Sequence, residues 1–141
     1  MNSTTVMTMA AIVIGLAALG LILYDVDEES SVPTVRDIYL FSKVDKNIDE
    51  EKFGIPPDQF STEQIIVNKG DTVNVHFYNL EPVETQEHHT FTINGKPYNV
   101  DLDINAGESD IVTFTATKDG IFKYVCTYHE PTMVGNLIVL G

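Results

Sequence analysis

The chain has one cysteine, Cys126, and little positive charge: 8 Lys plus Arg against 21 Asp plus Glu in 141 residues. A single cysteine excludes an intramolecular disulfide framework. In an extracytoplasmic protein a leftover thiol needs a use, and metal ligation supplies one. The net charge of −13 excludes a basic nucleic-acid footprint and repels anionic lipid. It keeps a small domain soluble and favours a partner with a basic docking surface. Hydrolase signatures are also missing: there is no Gly-x-Ser-x-Gly, no phosphate loop and no His-Glu zinc helix. No helical period, internal repeat or low-complexity tract is found from Val35 onward.

Charge is absent altogether from residues 1–24, where Val6 to Tyr24 is a run of mostly Ala, Ile, Leu, Gly and Met. That run approaches the ~20 residues needed to cross a bilayer. The expectation is an uncleaved N-terminal membrane anchor over 1–24. The alternative is a cleaved signal, although no positive n-region precedes the run and no Ala-x-Ala follows it. No Lys or Arg occurs before Arg36, so the positive-inside rule does not orient the span. Residues 25–34 (DVDEESSVPT) read as a short acidic linker. Residues 35–141 then form one domain.

Within that domain, short apolar runs are punctuated by Asn68-Lys69-Gly70-Asp71, Asn94-Gly95, Ala106-Gly107-Glu108 and Lys118-Asp119-Gly120. Their spacing suits an all-β sandwich or barrel. Strands are predicted at Val35–Phe41, Gln64–Val67, Thr72–Asn79, His89–Ile93, Ser109–Thr117, Ile121–Cys126 and Val134–Leu140. A helical turn is predicted at Asp49–Phe53, ended by Pro56-Pro57. Alternation puts Val73, Val75 and Phe77 on one face and His76 on the solvent side. Phe122, Tyr124 and Cys126 share a face.

The chemistry concentrates near the end of the chain. Cys126, His129 and Met133 fall in one run, CTYHEPTM, and His89 lies 37 residues before the cysteine. One thiolate, two imidazoles and a thioether suit a single copper ion cycling between Cu(I) and Cu(II). A two-His, one-Cys trigonal site with a weak axial Met is an electron-transfer arrangement. Strand alternation favours His89 over His88, since His89, Phe91 and Ile93 share a face while His88 points outward with Thr90 and Thr92. Met133 is either the axial ligand or core filler. In the second case water or a small molecule takes that position and the site is open.

These residues carry a resemblance. Residues 35–141 resemble the cupredoxins, the type 1 copper proteins that include plastocyanin, amicyanin and azurin. Ala106–Gly141 and His89-Thr90-Phe91 bear the match. The chain looks most like the membrane-anchored small cupredoxins of ammonia-oxidising archaea, and is also similar to nitrosocyanin, where a Glu takes the place of His89. The resemblance implies a Greek-key β-sandwich with copper at one end, held by His89, Cys126 and His129. It implies that the Thr90 N–H donates to the Cys126 sulfur and that Thr127 helps hold the loop. The spacing here is Cys-x2-His-x3-Met, one residue shorter before Met133 than in plastocyanin-type loops and one longer than in amicyanin-type loops. The dinuclear copper domain of cytochrome oxidase is also similar, but needs two cysteines that this chain lacks.

The expected function is one-electron transfer between membrane-associated redox partners on the extracytoplasmic side, where an exposed copper–thiolate site is suited. The alternative is copper redox chemistry on a small molecule such as nitric oxide at an open axial position. Copper storage or delivery is disfavoured, because only one of each ligand stands at fixed places.

Overall fold

Alternating runs dictate most of the strands in a computed structural model that describes residues 32–141. The proposed anchor over 1–24 and most of the acidic linker lie outside the described residues. Among the described residues, no helix is long and apolar enough to cross a membrane.

The strands are β1 (Val35–Val44), β2 (Asp58–Phe60), β3 (Gln64–Asn68), β4 (Thr72–Tyr78), β5 (His88–Ile93), β6 (Val100–Asn105), β7 (Ser109–Thr115), β8 (Gly120–Val125) and β9 (Val134–Leu140), with one α-helical turn, α1 (Glu50–Phe53), and a 3-10 turn at Val83–Thr85. They form two sheets, β2-β1-β4-β7 and β3-β9-β8-β5-β6. Most neighbours run antiparallel, but β1 runs parallel to β4 and β3 parallel to β9.

The inner faces follow the period of two. In β4, Val73, Val75 and Phe77 are buried between half-buried polar neighbours, and in β9 the alternate positions Gly135, Leu137 and Val139 are buried. Phe60, Phe77, Phe91 and Tyr124 form the aromatic centre of the core. Phe60 lies 5.1 Å from the Tyr124 ring and 6.4 Å from Phe91, both edge-on. Tyr124 is fully buried, and its hydroxyl donates to the Thr62 carbonyl at 2.7 Å, satisfying the polar end of a large apolar ring. Gly135, opposite Tyr124 across β8 and β9, leaves room for that ring: a Cβ there would lie 2.2 Å from the ring carbon Cζ.

Five points of the sequence reading are corrected. β1 continues to Val44, where its far end pairs with β2, a short strand not foreseen after Pro56-Pro57. β6 was also missed. Its sequence, VDLDIN, alternates properly, but its acids weaken the strand signal; β6 lies at a sheet edge, where outward charges are tolerated. The helical turn is capped by Asp49 and stops at Gly54, whose φ of +68° suits glycine, ahead of the prolines. Thr90 and Thr92 face away from the core yet are buried, because the loop after β8 and Asp101 of β6 engage their hydroxyls.

One buried carboxylate fixes the start of the domain. Asp71 accepts hydrogen bonds from the backbone N–H groups of Thr34 (2.8 Å) and Asn68 (2.9 Å) and from Arg36 Nε (3.0 Å). Those two backbone bonds, first Thr34 and then Asn68, hold its pKa well below the usual carboxylate range. A depressed folded-state pKa contributes stability at neutral pH that is lost as the pH falls below about 4. Asp71→Asn is therefore expected to lower the midpoint of thermal unfolding at pH 7. Its deficit relative to wild type should shrink toward pH 2, as read by circular dichroism.

Candidate metal centre

The site is assembled where β5 begins and the antiparallel β8 ends, at one pole of the sandwich. β5 presents His89, which is fully buried on the same face as Phe91 and Ile93. β8 ends at Val125, and Cys126 begins the loop that returns into β9. That loop is closed by its own backbone: Cys126 N–H donates to the Met133 carbonyl (2.9 Å), and Met133 N–H donates to the His129 carbonyl (2.9 Å). The His129 N–H reaches the Cys126 carbonyl at 3.3 Å, and the Thr132 hydroxyl donates to the His129 carbonyl. Four residues of the run are thus held by short-range bonds.

The donor atoms converge. Cys126 Sγ lies 3.4 Å from His129 Nδ1 and 3.8 Å from His89 Nδ1. Ligand atoms of these three residues all lie within 4.8 Å of one another. The two rings are 4.8 Å apart, inclined at 53°. Cys126 is fully buried, whereas the His129 side chain keeps 13% of its surface exposed. Met133 is also fully buried, within the apolar cluster that includes Cys126. His88 and His76 stay outside. His88 is half exposed, 3.6 Å from Asp103, and His76 stacks on Tyr39 with Nε2 2.9 Å from Asp37.

Electrostatics favour the ligating form of the thiol. Burial pushes the Cys126 thiol up, but His129, His89 and the N–H groups of Thr90 and Tyr128 outweigh it and hold the thiol at about 6. The hydrogen bond to Cys126 pushes the His129 imidazole up, against burial and with help from Asp58 and Glu87. A thiolate near neutral pH is the species that binds metal. Around it, the Thr90 N–H donates to Sγ (3.3 Å), and the Thr90 hydroxyl accepts from the Thr127 N–H (2.9 Å). The contact from Thr90 N–H to the sulfur, which the resemblance implies, is present, and Thr127 is tied to β5 through the Thr90 hydroxyl.

The donor set fits one copper ion. Three strong donors, one of them a soft thiolate, stand beside a buried thioether; soft sulfur with imidazole selects copper, whereas closed zinc sites ask for four ligands from Cys, His or carboxylate. Each ring offers Nδ1 to the sulfur, so each Nε2 faces the other way. Sequence reasoning missed what lies there. Asp58 Oδ1 is 3.8 Å from His89 Nε2, and Asp58 Oδ2 is 3.7 Å from His129 Nε2. Glu87 Oε2 is 3.6 Å from His129 Nε2. Asp58 belongs to a three-residue strand after two prolines, which carries no periodic signal.

Comparison with known proteins agrees with this fold. The family model described as a cupredoxin-like domain matches residues 38–139. The chain belongs to the cupredoxin-like family. Among solved structures, this cupredoxin is similar to auracyanin A, a "blue" copper protein of Chloroflexus aurantiacus (TM-score 0.53, 21% identity, 74% of this chain and 98% of that one). It is also similar to copper nitrite reductase from Nitrosomonas europaea (TM-score 0.56, 21% identity, 75% of this chain and 41% of that one). At these identities the likeness is one of fold. A nitrous-oxide reductase of Stutzerimonas stutzeri is 27% identical over 84 residues, covering 57% of this chain and 13% of the reductase. The cupredoxin thus spans only about an eighth of that relative.

Proposed function

We propose that this cupredoxin is a mononuclear type 1 copper protein that carries single electrons between membrane-associated redox partners on the extracytoplasmic side of the cell membrane. His89, Cys126 and His129 would hold the ion, and the Met133 thioether would supply a weaker fourth donor. The convergence of Sγ and two Nδ1 atoms in a loop already closed by its own backbone carries the reading. Bound there, copper supplies reversible one-electron chemistry. The protein's part is to keep the same ligands in place in both oxidation states and to keep water out, which the burial of Cys126, His89 and Met133 supports. The exposed edge of His129 is the exit for the electron. Beside it, Glu87 and Tyr128 line a shallow surface depression, and the net charge of −13 suits a basic docking surface on the partner. The apolar run of residues 1–24 supports a membrane anchor, and the copper–thiolate chemistry supports the extracytoplasmic side.

Purified protein is expected to bind one copper per chain, to show an intense visible thiolate-to-copper band and to titrate reversibly with one electron. The fully buried Met133 supports a closed site, so azide or nitric oxide should leave the band unchanged. A new charge-transfer band on that titration would instead support small-molecule chemistry at an open axial position. Electron exchange with a cationic reagent should slow as salt rises from 10 to 500 mM, because attraction between exposed charges is screened over about 10 Å at 0.1 M.

A further inference from the structure

We infer that Asp58 is a positioning residue for the copper site, one carboxylate that holds the outer edges of both ligand imidazoles. The inference rests on the copper reading above.

Asp58 shares the inner face of β2 with Phe60, which is buried in the aromatic core. An inward carboxylate at the end of an apolar core is costly without partners. Among the described residues no hydrogen bond reaches its side chain. What faces it are the two rings: His89 Nε2 at 3.8 Å from Oδ1 and His129 Nε2 at 3.7 Å from Oδ2. From the other side, His89 Nε2 is the buried side-chain polar atom left without a partner among the described residues. Asp71, Asn79, Thr90 and Thr92 are equally buried, yet all are hydrogen bonded. The unpaired atom and the unpaired carboxylate face each other.

Ligation explains both. With Nδ1 of each ring committed to the metal, each Nε2 carries the hydrogen and becomes a donor. Asp58 then offers one oxygen to each. The gaps exceed hydrogen-bond length by ~0.7 Å, a closure within reach of small side-chain rotations. The backbone beside Asp58 is pinned, since Asp45 N–H donates to the Pro57 carbonyl at 2.9 Å and Val44 pairs with Asp58 in the ladder. Partners on the far side of ligating imidazoles fix ring orientation and raise ligand basicity. The buried negative charge also favours the more positive Cu(II) state, so it lowers the reduction potential.

The test uses the full chain. In Asp58→Asn, Cu(II) affinity measured by chelator competition should fall about 10- to 100-fold, the range for such partners, and the reduction potential should rise. Asp58→Glu should recover much of both, while the thermal midpoint of the metal-free Asn variant stays near wild type. Should Asp58→Asn not fold, the same two quantities are read in Asp58→Ser. A variant that matches wild type in both affinity and potential overturns the inference. So does uptake of a second equivalent by the copper-loaded wild type on titration with Zn²⁺, if Asp58→Asn abolishes it, because Asp58, Glu81 and His89 would then form a separate cation site. A wild type that takes up no copper overturns the metal reading itself, and this inference with it.

Discussion

Cys126→Ser abolishes the intense visible absorption of the copper-loaded protein and lowers its Cu(I) affinity by several orders of magnitude, as measured by absorption and by competition with a Cu(I) chelator. The band requires a sulfur bonded to copper, and the described residues hold no second cysteine to replace it. A serine oxygen is a hard donor whose proton stays on at neutral pH, so the site loses both its softness and its anionic ligand. The fold should persist. Serine is close in volume, the Cys126 N–H to Met133 carbonyl bond involves only backbone, and His89 and His129 are carried by separate elements. Circular dichroism should therefore match wild type while the colour is gone. A variant that kept its colour would refute the ligand assignment.

Gly135→Ala costs about 3 kcal/mol in denaturant unfolding, the upper part of the usual range for overpacking a core. The new methyl would sit 2.2 Å from Tyr124 Cζ and 2.3 Å from its hydroxyl oxygen. Tyr124 cannot step aside easily: its ring packs edge-on against Phe60, and its hydroxyl is bonded to the Thr62 carbonyl. Moving β9 instead would break a ladder of six paired residues with β8. Tyr124→Ala alone leaves a cavity and costs about 3–5 kcal/mol. The double variant should cost clearly less than the sum, because one substitution makes room for the other. Strict additivity would show that the two side chains do not meet. Since β8 and β9 flank the ligand loop, Gly135→Ala is also expected to broaden the copper band.

The parts of the fold legible in the sequence were those with a clean period of two. Thr72–Tyr78 and Val134–Leu140 separate inner from outer residues without ambiguity. The same alternation distinguished the two adjacent histidines: His89 turns inward beside Phe91, and His88 faces Asp103 and Tyr128. The ligand run was legible because soft donors at short spacing are rare in an otherwise acidic chain. Asp58 was not. It is one of 21 acids, in a strand of three residues, and nothing local marks it as inward-facing. Its importance arises only when β2 is paired with the far end of β1, a contact between segments about 16 residues apart. β6 escaped for a related reason. Edge strands carry charges on their outer face, and in VDLDIN those charges mask the apolar alternation.

The parallel pairing of β3 with β9 joins segments far apart in the chain. β9 lies inside its sheet, between β3 and β8, and its partner Gln64–Asn68 is separated from it by about seventy residues. Closing so distant a contact is slow compared with forming a hairpin. The loop from Cys126 to Met133 joins β8 to β9 as a local hairpin, so it does not wait for that distant contact. The donor that must come from afar is His89, carried by β5, 37 residues before the cysteine. The ligand loop can therefore take shape by itself, whereas the three-donor set is a property of the assembled sheet.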